Sequence, residues 1–397
     1  MRTVGTVVRG IRTPIIKEND KLDDIVVDSL IKASMDEDYG FKFKDRDVVA
    51  ITEAVVGISE GNYATIDDIA TDIKNKLNNP EELGIVFPIL SRNRFSLILK
   101  GIAKSTKKLY VLLSFPSDEV GNGILDEEKF ENSSFDLGSI ITEEEYTKYF
   151  GDFLHPFTGI NMIDFYRELI KEQGCEPVFI LSNKATDILE YTDNVINCDI
   201  HTRYKTKEML KKAGANVIGL FEILNSPVNG SGYNEKYGLL GSNKSTEERL
   251  KLFPRDGQKI VDSVQKRLKE ITGKNIEAMV YGDGAFKDPV GKIWELADPV
   301  VSPFYTSGLE GTPNEIKLKF VSDNKFPDLA GDELKEAIKE EIRKKDANLK
   351  GKMITQGTTP RRLTDLIGSL CDLTSGSGDK GTPVVFIQGY FDNLSDE

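Results

Sequence analysis

Four short segments carry residue types suited to chemistry on phosphates or carboxylates, and each falls between regular elements. The first is Arg12-Thr13-Pro14-Ile15-Ile16-Lys17-Glu18-Asn19-Asp20, where a lysine leaving a strand beside a turn can hold a phosphate as a point charge. The second, Ile51-Thr52-Glu53 through Gly57 to Asn62, places hydroxyls and glycines at a strand end, where backbone can approach a ligand closely. The third, Met279-Val280-Tyr281-Gly282-Asp283-Gly284, sets an acid between glycines at the end of an apolar strand, a common setting for a magnesium ligand. The fourth, Thr374-Ser375-Gly376-Ser377-Gly378-Asp379-Lys380-Gly381-Thr382-Pro383, has the composition of a nest of backbone N–H groups around an anion, although it is not a Gly-x-x-x-x-Gly-Lys-Ser/Thr loop. Each has a plain structural alternative: a solvated lysine, a glycine turn, an Asp turn and a surface loop.

Other chemistries are restricted by what is scarce. Two histidines, His155 and His201, exclude a three-histidine metal site. Three widely spaced cysteines, Cys175, Cys198 and Cys371, lie in or beside apolar runs and read as packing residues, not as a disulfide framework or zinc site.

The elements that must position these segments alternate between strand and helix patterns. Val4–Val8 and Val48–Val56 read as strands, with helices over 21–34 and 66–77. Leu109–Phe115 reads as a buried strand, and the acidic stretch 126–150 as a solvated excursion. From about residue 160 the spacing predicts regular helix–strand units and hence a parallel layer. Residues 257–271 form one apolar helical face leading into the strand Ile276–Tyr281, 332–347 a charged amphipathic helix, and Val384–Ile387 a closing strand. The fold class is α/β.

The chain has 397 residues, enough for two to three domain-sized units, and a formal net charge of −13. That charge opposes binding to nucleic acid or anionic membranes. No apolar run is long enough to span a bilayer and the start has no signal-peptide core, so the expected location is the cytoplasm.

Taken in order, the four segments resemble the coenzyme F420-0:L-glutamate (γ-glutamyl) ligase family. Pro14-Ile15-Ile16-Lys17-Glu18 is similar to the family's Pro-Leu-Ile-Lys with its acidic turn, and Ser59-Glu60-Gly61-Asn62 to its Ala-Glu-Gly-Arg. Gly241-Ser242-Asn243 and Arg255-Asp256-Gly257 resemble its Ser-Asn and Pro-Asp-Gly positions, and Gly381-Thr382-Pro383-Val384-Val385 with Gln388-Gly389 its closing Gly-Ile-Pro-x-Val-x-x-x-Arg-Gly. The resemblance covers residues 1–105 and 238–397, a mixed α+β ligase-type core, and leaves 106–237 as an inserted α/β region. It implies amide-bond formation between a small-molecule carboxylate and a glutamate-like amino acid through an acyl phosphate, with GTP (or ATP) and Mg²⁺ or Mn²⁺, in a homodimer. It further implies nucleotide contacts from Pro14, Ile15, Ile16, Lys17, Thr52, Glu53, Asn243, Ser375, Gly376, Ser377, Gly378 and Gly381, and a metal at Asp283; it assigns no catalytic residue. Family residues are replaced at Leu240 (aspartate), Ile58 (lysine), Gly284 (threonine) and Ser377 (an acid), and Asp118 or Glu119, in Pro116-Ser117-Asp118-Glu119-Val120-Gly121-Asn122, is the expected substitute metal ligand, with Asp118 put first. A second reading follows from these replacements: a catalytically degenerate ligand-binding or regulatory protein on the same fold.

Overall fold

In a computed structural model, the described residues are 3–156, 158–282, 286–287, 294–295, 300–355, 361–374 and 378–396. The fold is α/β, and the chain divides into two compact units. The first comprises residues 1–56, 256–284 and 300–397, and the second 57–255 and 285–299.

The first unit is built on a five-stranded mixed sheet. In spatial order the strands are Val7–Ile11, Val384–Gln388, Val48–Thr52, Glu277–Tyr281 and Phe304–Tyr305. Only the pair Val48–Thr52 and Glu277–Tyr281 is parallel; the other three pairs are antiparallel. Both strands of that pair are apolar along their middles, Val48–Ile51 and Ala278–Val280, because both of their faces are covered. Val48, Ala50, Met279, Val385 and Ile387 pack with Ile367 and Cys371 of the helix Leu363–Thr374. The alternate residues Val49, Ile51, Ala278 and Val280 face the opposite way and are fully buried. The helices Leu22–Ser34 and Gly257–Thr272 pack together and bury Val26, Val27 and Leu30 with Val261, Val264 and Leu268. Gly273, in the left-handed conformation, ends the second helix.

The second unit carries a six-stranded sheet in the order Ile141–Thr142, Glu176–Leu181, Lys108–Leu113, Glu82–Val86, Asn194–Asn197, Asn216–Gly219. All neighbours are parallel except the short first strand. Glu82–Val86 is first in sequence yet central, so the strand order reverses beside it, as in doubly wound sheets. This sheet crosses the 105/106 boundary expected from the resemblance, with Glu82–Val86 paired to Lys108–Leu113.

Several expectations change. The first strand is Val7–Ile11, shifted from Val4–Val8. The β-branched run Val48–Val56 is a strand only to Thr52, and Glu53–Ser59 is helical despite Val55 and Val56. Packing overrides local preference there, since both valines are buried. The acidic stretch 126–150 holds two capped helices, Glu127–Glu131 and Glu143–Phe150, with Tyr146 and Phe150 in the core. Among the described residues, no helix is long and apolar enough to cross a membrane.

The helices Ile66–Lys76 and Ser96–Lys104 pack so closely that a Cβ on Gly101 would lie 2.6 Å from Ile69 Cγ2. Ile69 is fully buried and stiff at χ1, so it has nowhere to move. Gly101→Val should therefore cost at least about 1 kcal/mol by overpacking. An unchanged urea midpoint would show that the helices tolerate separation.

Candidate functional site

Sheet pairing decides where the four segments end up. Ile11 pairs with Val384, Val384 with Ile51, and Tyr281 with Thr52. The chain therefore leaves Ile11, enters Val384, leaves Thr52 and leaves Tyr281 at one edge of the same sheet. The Thr52 amide donates to the Pro383 carbonyl at 2.9 Å, tying the second and fourth segments together. Asp283, Gly284, Ser375, Gly376 and Ser377 lie outside the described residues, so at those positions only the flanking residues are placed.

The first segment is anchored by Ile16, which is buried, while Pro14, Ile15 and Lys17 are exposed. The Asp20 carboxylate accepts from the Lys17 amide at 2.7 Å and the Asp20 amide donates to the Lys17 carbonyl at 3.2 Å, with Asn19 at φ 66°. This turn, closed at both ends by Asp20, holds the backbone, and Lys17 is exposed. Glu53 is buried at the first position of its helix. In the fourth segment the Gly381 amide donates to the Gly378 carbonyl at 3.1 Å, and Gly381 has φ 63°, which suits glycine.

Beside this edge lies a groove of about 970 Å³ between the outer strand Val7–Ile11 and the helix Leu22–Ser34. Arg12, Thr13 and Pro14 of the first segment and Thr374, Lys380 and Thr382 of the fourth line it together. Arg9, Lys32 and Tyr39 also line it; they carry no motif, and only the strand pairing and helix packing reveal them.

Asn243 and Asp118 belong to the second unit. Asn243 sits in a hairpin opposite Lys251, just after buried Ser242. Leu240, at the family's aspartate position, is in the apolar core of that unit, where a carboxylate would be desolvated. The Asp118 carboxylate is buried and accepts from the amides of Leu90 (2.8 Å), Val120 (3.0 Å) and Asn122 (2.8 Å) and from Asn122 Nδ2 (2.8 Å). Burial pushes its pKa up despite these donors. With both oxygens occupied by its own loops, this carboxylate braces the carboxyl end of the parallel sheet, and a metal would have to displace those donors. Among the described residues, no three His, Cys, Asp or Glu side chains gather to hold a metal ion. The described residues thus fit phosphate oxygens better than they fit a metal.

The crevice at the strand-order reversal of the second unit is bridged in the same manner. Glu119, after Lys108–Leu113, accepts from the amides of Ile200 (2.6 Å) and His201 (3.0 Å), which follow Asn194–Asn197 on the other side of Glu82–Val86. Asp199 is buried and accepts from the Thr202 amide (2.9 Å) and from the Thr202 and Thr206 hydroxyls, both at 2.5 Å. Burial of the Cys198 thiol keeps it protonated, and burial likewise raises Cys175 to about 12, so neither suits a nucleophile.

Two compact α/β units, one presenting glycine- and lysine-bearing loops at a common sheet edge, define the class of protein: a two-unit α/β protein. The model of the F420-0:gamma-glutamyl ligase family matches residues 10–389, and the chain belongs to this family of ligases. A comparison with curated proteins finds no match.

Desolvation of the Glu119 carboxylate, with Asp199 beside it, raises its pKa to about 7, although the residue as a whole is exposed. The folded state then holds this proton more tightly than the unfolded chain does. Its contribution to stability is present below about pH 4.5 and is lost as pH rises through about 7. Exposure makes the loss shallow. Glu119→Gln should flatten the stability profile between those values, measured by denaturant titration at each pH; an identical slope in both proteins would refute the assignment.

Proposed function

We propose that this protein is an amide-bond-forming ligase that uses a nucleoside triphosphate, GTP or ATP, with Mg²⁺ or Mn²⁺. A small-molecule carboxylate attacks the terminal phosphorus, giving an acyl phosphate and the nucleoside diphosphate. The amine of a glutamate-like amino acid then attacks the acyl carbon, phosphate leaves, the amine gives up a proton, and the amide remains. Such transfer needs cations and backbone donors around the phosphoryl oxygens.

The observation that supports this reading is the convergence of Pro14–Lys17, Thr52-Glu53 and Gly378–Gly381 on one sheet edge, beside a groove containing arginines and lysines. In the proposal Lys17 and the glycine loop meet the nucleotide phosphates; Asn243 is proposed as a nucleotide contact on the family resemblance alone. Asp283 is the residue proposed for the metal, and no step is assigned to it. The protein is proposed to act as a homodimer in the cytoplasm, with 106–237 an addition to the family core.

Leu240 in an apolar core favours a second reading, a binding protein that has lost turnover. The two separate in one assay. The ligase should release phosphate only when nucleotide, metal, carboxylate and amino acid are all supplied, and product should gain the mass of the amino acid. Lys17→Ala should lower kcat/KM at least about tenfold, the effect of losing one charge-assisted contact, without lowering Tm. Nucleotide-dependent stabilisation with no phosphate release across GTP, ATP and broad amino-acid mixtures would favour the binding protein instead.

A further inference from the structure

Two surfaces of the second unit lie outside the four motifs and carry opposite charge. The first is built by residues 126–154, which hold nine acids against two lysines, Lys129 and Lys148. Its helices Glu127–Glu131 and Glu143–Phe150 are tied together by Phe130 against Phe150, ring centres 6.5 Å apart, and by Phe135 edge-on to Tyr149 at 5.6 Å. Glu127, Glu128, Glu131 and Glu144 are exposed, and among the described residues none of them forms an ion pair. The same segment leaves four large apolar side chains in solvent, Leu137 (59%), Ile140, Tyr149 and Leu154 (57%). Large apolar groups gathered in one short stretch and rimmed by charge mark a contact surface.

The second surface is the helix Arg203–Lys212, which has five basic residues against one acid, Glu208, on a chain of net charge −13. Thr206 and Leu210 are its buried side, and Lys207 is held by Glu222. Lys205, Lys211 and Lys212 are exposed and pair with no acid among the described residues, and Tyr204 (58%) and Met209 are exposed with them. The sheet keeps the two surfaces apart. Glu143–Phe150 packs on Ile141–Thr142 and Glu176–Leu181 at one edge, and Arg203–Lys212 packs on Asn216–Gly219 and Asn194–Asn197 at the other. Six strands spaced at ordinary pairing distance separate those edges by about 24 Å. One copy therefore cannot join its own basic helix to its own acidic segment, whereas a second copy can.

We propose that copies of this chain associate head to tail through their second units, the basic helix Arg203–Lys212 of one seating on the acidic segment 126–154 of the next. The lysines and glutamates steer the contact, and the exposed Tyr204, Met209, Leu137 and Tyr149 supply its apolar area. The contact goes beyond the ligase reading and does not rest on it. It joins unlike surfaces, so it differs from a two-fold homodimer and continues into rings or open chains.

Analytical ultracentrifugation of the full chain tests it at about 0.01 M and about 1 M salt, where charges act over about 30 Å and about 3 Å. At low salt the mean mass should rise with concentration and pass beyond a dimer; at high salt that growth should vanish. Lys205→Gln/Lys211→Gln/Lys212→Gln and, separately, Glu127→Gln/Glu131→Gln/Glu144→Gln should each weaken association at least about tenfold, the combined effect of three exposed charge pairs. None of the six side chains has a charged partner among the described residues, so both variants should keep the wild-type circular dichroism. Mixed in equal amounts, they should associate again, because each retains the surface that the other lacks. Lys266→Gln/Lys319→Gln/Lys350→Gln, which changes the net charge equally at exposed positions elsewhere, should change nothing. A mass independent of concentration at low salt, growth that stops at a dimer or persists at high salt, an equal loss in the Lys266/Lys319/Lys350 variant, or no rescue in the mixture would each overturn the proposal. Loss with the glutamate set alone would place a different basic segment on the acidic surface and overturn the pairing too.

Discussion

The pairing of Val7–Ile11 with Val384–Gln388, and of that strand with Val48–Thr52, is the constraint on which the first unit depends. It joins segments more than 370 positions apart in the sequence, Val7 pairing with Gln388. Closing so long a loop costs entropy that must be recovered by buried area and by ladder hydrogen bonds. The continuous burial of Val384–Gln388 and Val48–Ile51 supplies that recovery. Without this register, the loops after Ile11 and Thr52 and the loop before Val384 would have no common edge, and the groove would have no floor. The chain from Asp47 through Gln388 to Arg9 shows the same dependence at the level of side chains, since it draws on all three segments.

The second unit meets a different demand. Its parallel strands end at a crevice formed where the strand order reverses, the place where doubly wound sheets commonly receive ligands. Here the chain's own groups occupy it. Asp118 holds the loops after Glu82–Val86 and Lys108–Leu113 together, and Tyr166 donates to the Ile89 carbonyl at 2.6 Å while accepting from the Ser91 amide at 2.9 Å. Glu119 spans to the loop after Asn194–Asn197. A buried carboxylate is tolerated only with such donors around it, so these acids serve the architecture first.

The divided roles explain why acidic residues mislead a motif search in this chain. Asp118 has the sequence setting of a metal ligand, an acid in a turn after an apolar strand. Whether its oxygens are available depends on amides at Leu90 and Asn122, and no local pattern in the sequence fixes the first of these. Conversely, Arg9, Lys32 and Tyr39 form part of the groove with no motif around them.

The sequence by itself determined the α/β class, the long amphipathic helices such as Gly257–Thr272, the buried strands Lys108–Leu113 and Glu277–Tyr281, and the family. Those features are local: periodicity over one element, or residue order along the chain, encodes them. The extent of Val48–Thr52, the burial of Tyr146 and Phe150 in an acidic stretch, and the partners of Asp118 were decided only by tertiary structure. So was the assembly of Arg9, Arg12, Lys32 and Lys380 in one groove. These depend on contacts between residues far apart in the chain, where packing and desolvation outweigh intrinsic preference and where strand register, not spacing, sets which side chains meet.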